Sequence, residues 1–218
     1  MSAYQTYTTE ELLAAIETAG RTPDLDLIHT ILDRQADVTP GLLYMFHDAL
    51  NDDWEDEDDP RWYRLVHAGM LLLAFREEAA LPGFHDLYLD HEEWLEWFET
   101  DPYYFGPAAI DTFAKVARTD TGPEWHFGRA LATGVLGQIG LHFPEAKEEA
   151  AAALRAMLPP LRPDGTLDLP DDVEIDLNWT NALGDLAYLR DEASRPQIEA
   201  LFDAGYVDEM FIDKEGYL

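Results

Sequence analysis

The sequence predicts an all-α fold, a stack of about five helix pairs, and three observations lead there. Proline recurs at Pro40, Pro82, Pro144 and Pro196, each time between two amphipathic segments. Apolar residues recur at helical spacing, as in Ala182, Leu186 and Leu189, and again in Ile198, Leu201 and Phe202. A long segment also repeats, because the residues from His67 to Tyr88 match those from Asn181 to Phe202 without a gap.

In chain order, Thr8-x-x-Glu11 ahead of "LLAAI" is a capping-box pattern that opens a first helix. Proline in a first helical turn forfeits no hydrogen bond and pre-sets φ, so each of the four prolines reads as a helix start. "LDLIHTILDRQ" then pairs with "PGLLYMFHDAL", and "RWYRLVHAGMLLLAFREE" pairs with "PGFHDLYL". "EEWLEWF" at 92–98 reads as a short helix, "TDPYYFG" as a turn, and "PAAIDTFAKVAR" from Pro107 as another helix. "WHFGRALATGVLGQIGLHF" pairs with "PEAKEEAAAALRAML", a long loop covers 159–172, and "NWTNALGDLAYLRDE" pairs with "PQIEALFDAG". "VEIDLNW" alternates briefly but has no partner strand. No linker divides the chain, so 1–218 reads as a single helical-repeat domain.

In the repeat, Ala68 meets Ala182, Leu72 meets Leu186, and Arg76-Glu77-Glu78 meets Arg190-Asp191-Glu192. Pro82 then meets Pro196, and Leu87 meets Leu201. Self-similarity of a whole helix–turn–helix unit is the mark of a solenoid, which makes the expected architecture a HEAT-like array with divergent repeats.

Hydrophobic residues make up 47% of the 218 and aromatics 12%, enough for a substantial core. The first helix begins too early for a signal peptide, and the apolar stretch from Ala68 to Phe75 is too short to span a bilayer, so a soluble cytoplasmic protein is expected. There is no cysteine, which removes disulfides, thiol nucleophiles and thiolate metal sites. Forty-five acids against 14 bases give a formal charge of −31. That balance disfavours direct binding to nucleic acid or to an anionic membrane, both of which need clustered Lys and Arg. Three readings of the charge stay open: a solvated surface suited to a salt-rich medium, attraction to a basic partner, or divalent-cation binding.

"VHAGMLLLAFREEAALP", "ALGDLAYLRDEASRPQIEALFDAG" and the tail "YVDEMFID" resemble the bacterial domain of unknown function 1186 family. The resemblance rests on His67, Ala68, Ala74, Arg76, Glu77 and Pro82, then on Tyr206, Val207, Asp208, Phe211 and Ile212. It implies a helical-repeat fold over nearly the whole chain and brings no established activity. Some members of that family carry a Cys-rich zinc-binding tail, and nothing here matches it.

The candidate chemistry is sparse. Of seven histidines, His85 and His91 with Asp86 and Asp90 come nearest to a ligand set, yet on one continuous helix they would point apart. The acidic runs at 51–60 and 163–172 lack calcium-loop spacing and read as solvated loops. Arg76-Glu77-Glu78 and Arg190-Asp191-Glu192 read as helix-end chemistry, and His67 with Asn181 as a shared structural polar position. Trp94, Trp97 and Phe98, continued by Tyr103 and Tyr104, form the candidate partner-binding patch, since aromatic anchors rimmed by carboxylates resemble interface hot spots. No nucleophile elbow, P-loop or dinucleotide fingerprint occurs, so no catalytic, cofactor or metal residue is assigned. The expected function is a protein–protein interaction scaffold with a basic partner. Its rivals are an acidic decoy that mimics nucleic acid to occupy a basic DNA-binding protein, and an enzyme or metal-binding protein.

Overall fold

The computed structural model describes residues 3–52, 56, 58–119, 125–169, 178–207 and 214. Among these residues every regular element is helical, and β pairing is limited to an isolated antiparallel bridge between Leu161 and Leu167. The α-helices are α1 (Thr9–Glu17), α2 (Leu25–Asp33), α3 (Gln35–Leu50), α4 (Arg64–Phe75) and α5 (Leu81–Asp90), followed by α6 (Ile110–Arg118), α7 (Phe127–His142), α8 (Lys147–Arg155), α9 (Asn178–Leu189) and α10 (Arg195–Asp203). Short 3₁₀ turns lead into several of them, at Glu78–Ala80, Pro144–Ala146 and Glu192–Ser194. Two longer 3₁₀ stretches, Glu92–Trp97 and Asp101–Ala109, join α5 to α6.

Local chemistry sets most of the boundaries. The expected capping box is present: the Glu11 N–H donates to the Thr8 hydroxyl at 3.2 Å, and the Thr8 N–H donates to the Glu11 carboxylate at 2.7 Å. Pro82 and Pro196 lie in the first turns of α5 and α10, and Pro144 opens the 3₁₀ turn before α8. Pro40 departs from the expectation. It lies inside α3, which begins at Gln35. Arg34 ends α2 and caps α3, and its guanidinium donates to the Tyr7 carbonyl at 2.6 Å and to the Thr9 hydroxyl at 2.7 Å. Those bonds place the corner upstream of the proline, whose missing N–H then leaves the α3 ladder one bond short.

The helix–turn–helix units α4–α5 and α9–α10 correspond residue for residue. Their first helices are both 12 residues long and end the same way. Arg76 and Arg190 both adopt the left-handed conformation, at φ 53° and 51°. The next N–H, of Glu77 or Asp191, reaches back to the carbonyl of Leu72 or Leu186 at 3.0 and 3.1 Å, which is a Schellman closure. The Glu77 and Asp191 carboxylates then cap the following 3₁₀ turn by accepting from Ala79 and Ser194. The acids of these triplets therefore fill the helix-start role expected of them, while the arginines close the helix ends through their backbone.

Buried apolar residues from Leu12 to Val207 form a continuous cluster. Phe84 is at its aromatic centre, with ring centroids 4.9 Å from Phe46, 5.4 Å from Phe98 and 5.5 Å from Phe105. Helix α7 packs against α5, α6, α8 and α9. Its start comes so near the end of α5 that a Cβ at Gly128 would lie 1.7 Å from the Tyr88 carbonyl oxygen, so only glycine fits. The hydroxyl of buried Tyr88 donates to the Glu99 carbonyl and ties the 3₁₀ region to α5.

A left-handed backbone strains any side chain beyond glycine, and both arginines are exposed there. Arg76→Gly and Arg190→Gly should each stabilise the fold by about 1 kcal/mol. Urea unfolding will show this as a raised midpoint with an unchanged slope.

Candidate functional site

The two matched units differ in what they present. Where α4 carries His67, Met70 and Leu71, α9 carries Asn181, Gly184 and Asp185. His67 is buried, its Nε2 is 2.7 Å from the Gly20 carbonyl oxygen, and burial pushes its pKa down, so it serves as a neutral structural group. Leu71 is core. In α9 the same positions face α7 across a cleft of about 710 Å³, within the size range of ligand-binding sites.

Residues 181, 184, 185 and 188 share one face of α9 by their i, i+3 and i+4 spacing. Opposite them, α7 contributes Leu131, Thr133 and Gly134, and Thr100 closes one side. Gly137 permits the approach of the two helices, because a Cβ there would lie 2.5 Å from an Asp185 carboxylate oxygen. Gly184 has no such reason to be glycine. A Cβ on it would meet nothing within 4 Å, although glycine costs a helix interior about 1 kcal/mol relative to alanine. What Gly184 keeps is open space inside the cleft.

Burial pushes the Asp185 carboxyl up to about 6, with the Thr133 hydroxyl pulling partly the other way. None of the residues lining the cleft is cationic, and no ion pair of Asp185 occurs among the described residues. The Asn181 amide nitrogen is buried without a hydrogen-bond partner among the described residues. Leu131 and the 76% exposed Tyr188 supply apolar surface at the rim. Chemically, the cleft offers one acceptor carboxylate, the side chains of Thr100, Thr133 and Thr180, and an aromatic wall, with the Asn181 amide nitrogen closed off beneath its surface.

The residues singled out from sequence do not line this cleft. Trp94 packs on Trp62 at 5.2 Å between centroids, and Trp97 packs on Tyr63 at 5.6 Å with the Arg21 guanidinium 5.7 Å above its ring. Tyr103 lies between Tyr104, at 4.3 Å, and His142, at 4.8 Å, near the end of α7. Phe98 corrects the expectation. It is fully buried against Phe84 and Gly69, and a core side chain cannot present itself to a partner.

His85 bonds its neighbour Asp86 at 2.9 Å, and His91 lies 3.8 Å from Glu93. Part of the first acidic run is bridged: Asp52 pairs with buried Arg64 at 2.6 Å, while Asp59 pairs with Arg61, which holds its carboxyl at about 2. Asp53, Trp54, Glu55 and Glu57 lie outside the described residues, as do 170–172 of the second run, the 173–177 part of "VEIDLNW" and the 208–213 part of the tail motif. No group of three or more His, Asp or Glu side chains able to hold a metal ion occurs among the described residues. No described helix is long and apolar enough to cross a membrane. Compared with family models, with curated proteins and with solved structures, the chain has no match.

Asp185 gives the cleft a measurable signature. Its folded pKa, about 6, exceeds its ordinary 3.8, so the ionised form costs stability above pH 6. As pH falls from 6 to 3.8 the folded state binds the proton first, and that cost is relieved. Asp185→Asn should therefore be more stable than the parent at pH 7.5. The difference should shrink through pH 6 and vanish below about pH 4, as measured by urea unfolding across pH.

Proposed function

We propose that the chain is a protein-interaction scaffold, a HEAT-like solenoid with divergent repeats that works in the cytoplasm and binds a basic protein. The order of packing supports the solenoid. The most extensive contacts run between helices one or two places apart in sequence: α3 with α4, α6 with α7, α7 with α8 and α7 with α9. The residue-for-residue match of α4–α5 with α9–α10 supports it too.

The observation that carries the binding reading is the cleft between α7 and α9, a concave surface with a carboxylate that has no ion pair among the described residues, in a chain of net charge −31. A carboxylate left without a cation at a desolvated site gains when one arrives. The same surplus of acid would repel nucleic-acid backbones and anionic lipid surfaces.

Affinity capture from the native cell, run at low and at high salt, tests this reading. A basic protein should be retained in about 0.1 M salt and lost in about 1 M, where the screening length falls from about 10 Å to about 3 Å. Recovery of no protein at either salt would overturn the proposal.

A further inference from the structure

We infer that the α7–α9 cleft is the docking site for an arginine-bearing peptide segment of the partner, with the guanidinium held by Asp185 and the adjoining backbone by Asn181. This deepens the scaffold reading and rests on it. Four features of the cleft point the same way.

The first is vacancy. The unit α4–α5 fills this position with Met70, whereas α9 has Gly184 facing open space and no neighbour that forbids a side chain. The second is charge. Asp185 lines the cleft with no cation beside it, and a guanidinium would supply paired donors to its two oxygens. The third is the Asn181 amide nitrogen, a donor with no acceptor among the described residues, placed one helical turn before Asp185 on the same face. It is closed off from solvent, so a peptide carbonyl next to the bound arginine satisfies it once the Asn181 side chain turns toward the cleft, and a lone cation would not. The fourth is size and lining. About 710 Å³ exceeds what one side chain fills, so the cleft has room for a short stretch of chain. Leu131 and Ala187 offer apolar contact to the arginine stem, and Tyr188 offers an aromatic face to the guanidinium. Arginine fits better than lysine because its planar group is weakly hydrated, stacks, and donates in pairs.

The test uses the full chain and a fluorescein-labelled hexa-arginine peptide, read by fluorescence anisotropy in about 0.1 M salt. Hexalysine, free arginine and hexaglutamate are the comparison ligands. Gly184→Leu plugs the cleft while improving helix propensity, and Asp185→Asn removes the charge without changing shape. Glu145→Gln with Glu149→Gln removes two exposed charges on another part of the molecule. Helical circular dichroism confirms folding of each variant, and Gly184→Ala provides a milder plug.

The expected result is hexa-arginine binding that weakens about tenfold or more in Gly184→Leu and in Asp185→Asn, and far less in the Glu145/Glu149 variant. Hexa-arginine binding left unchanged by both cleft substitutions would overturn the docking site and leave the scaffold reading standing. No binding of hexa-arginine to the parent would overturn both. Hexalysine binding as tightly would refute the choice of arginine, and free arginine binding as tightly would refute the peptide.

Discussion

Along α7 the backbone is bare where its neighbours press closest. At Gly128 the carbonyl of Tyr88 occupies the place of a side chain, and at Gly137 the carboxylate of Asp185 does so. Close packing through glycine lets one helix contact α5, α6, α8 and α9 at once. It also decides what happens to Asp185. A helix held a few ångströms further out would leave that carboxylate in water with an ordinary pKa. Held this close, it is stripped of much of its hydration and given no cation in return.

Two matched helix–turn–helix units share their closure and differ on one face. The α4–α5 and α9–α10 units share helix length, a left-handed arginine, Schellman closure and a carboxylate cap on the next turn. These features close the hairpin and are indifferent to what lies on the outer face. On that face α4 is finished, with His67 bonded to Gly20 and Leu71 in the core. At the matched positions α9 has an amide nitrogen without a partner among the described residues, a missing side chain and a half-buried acid. One unit spends the face on packing, and the other leaves it open.

How much of this was legible in the sequence follows from how local each determinant is. The Thr8 box and the prolines at 82, 144 and 196 act within a turn of their own position, and they could be read directly. Pro40 misled because the α2–α3 corner is fixed by bonds from Arg34 to the start of α1, more than twenty residues away. The aromatic run misled through its period. An α-helical turn would group Trp94, Trp97 and Phe98, but the segment is 3₁₀, with three residues per turn. That period sets Trp94 and Trp97 on one side, and Leu95 and Phe98, both fully buried, on the other. The cleft did leave a trace. Where Met70-Leu71 aligns with Gly184-Asp185, adjacent positions trade bulk and apolarity for space and charge. The open space itself, and the loss of hydration at Asp185, depend on where α7 lies, and no local pattern encodes that.

The carbon-13 shift of the Asp185 carboxyl, followed against pH in the full chain, tests the account most directly. The close approach of α7 predicts a midpoint near 6, and saturation with a basic peptide should move it down toward the ordinary 3.8 or below. A midpoint already at the ordinary value in the free protein would mean that the carboxylate is solvated. It would contradict the packing on which the cleft depends.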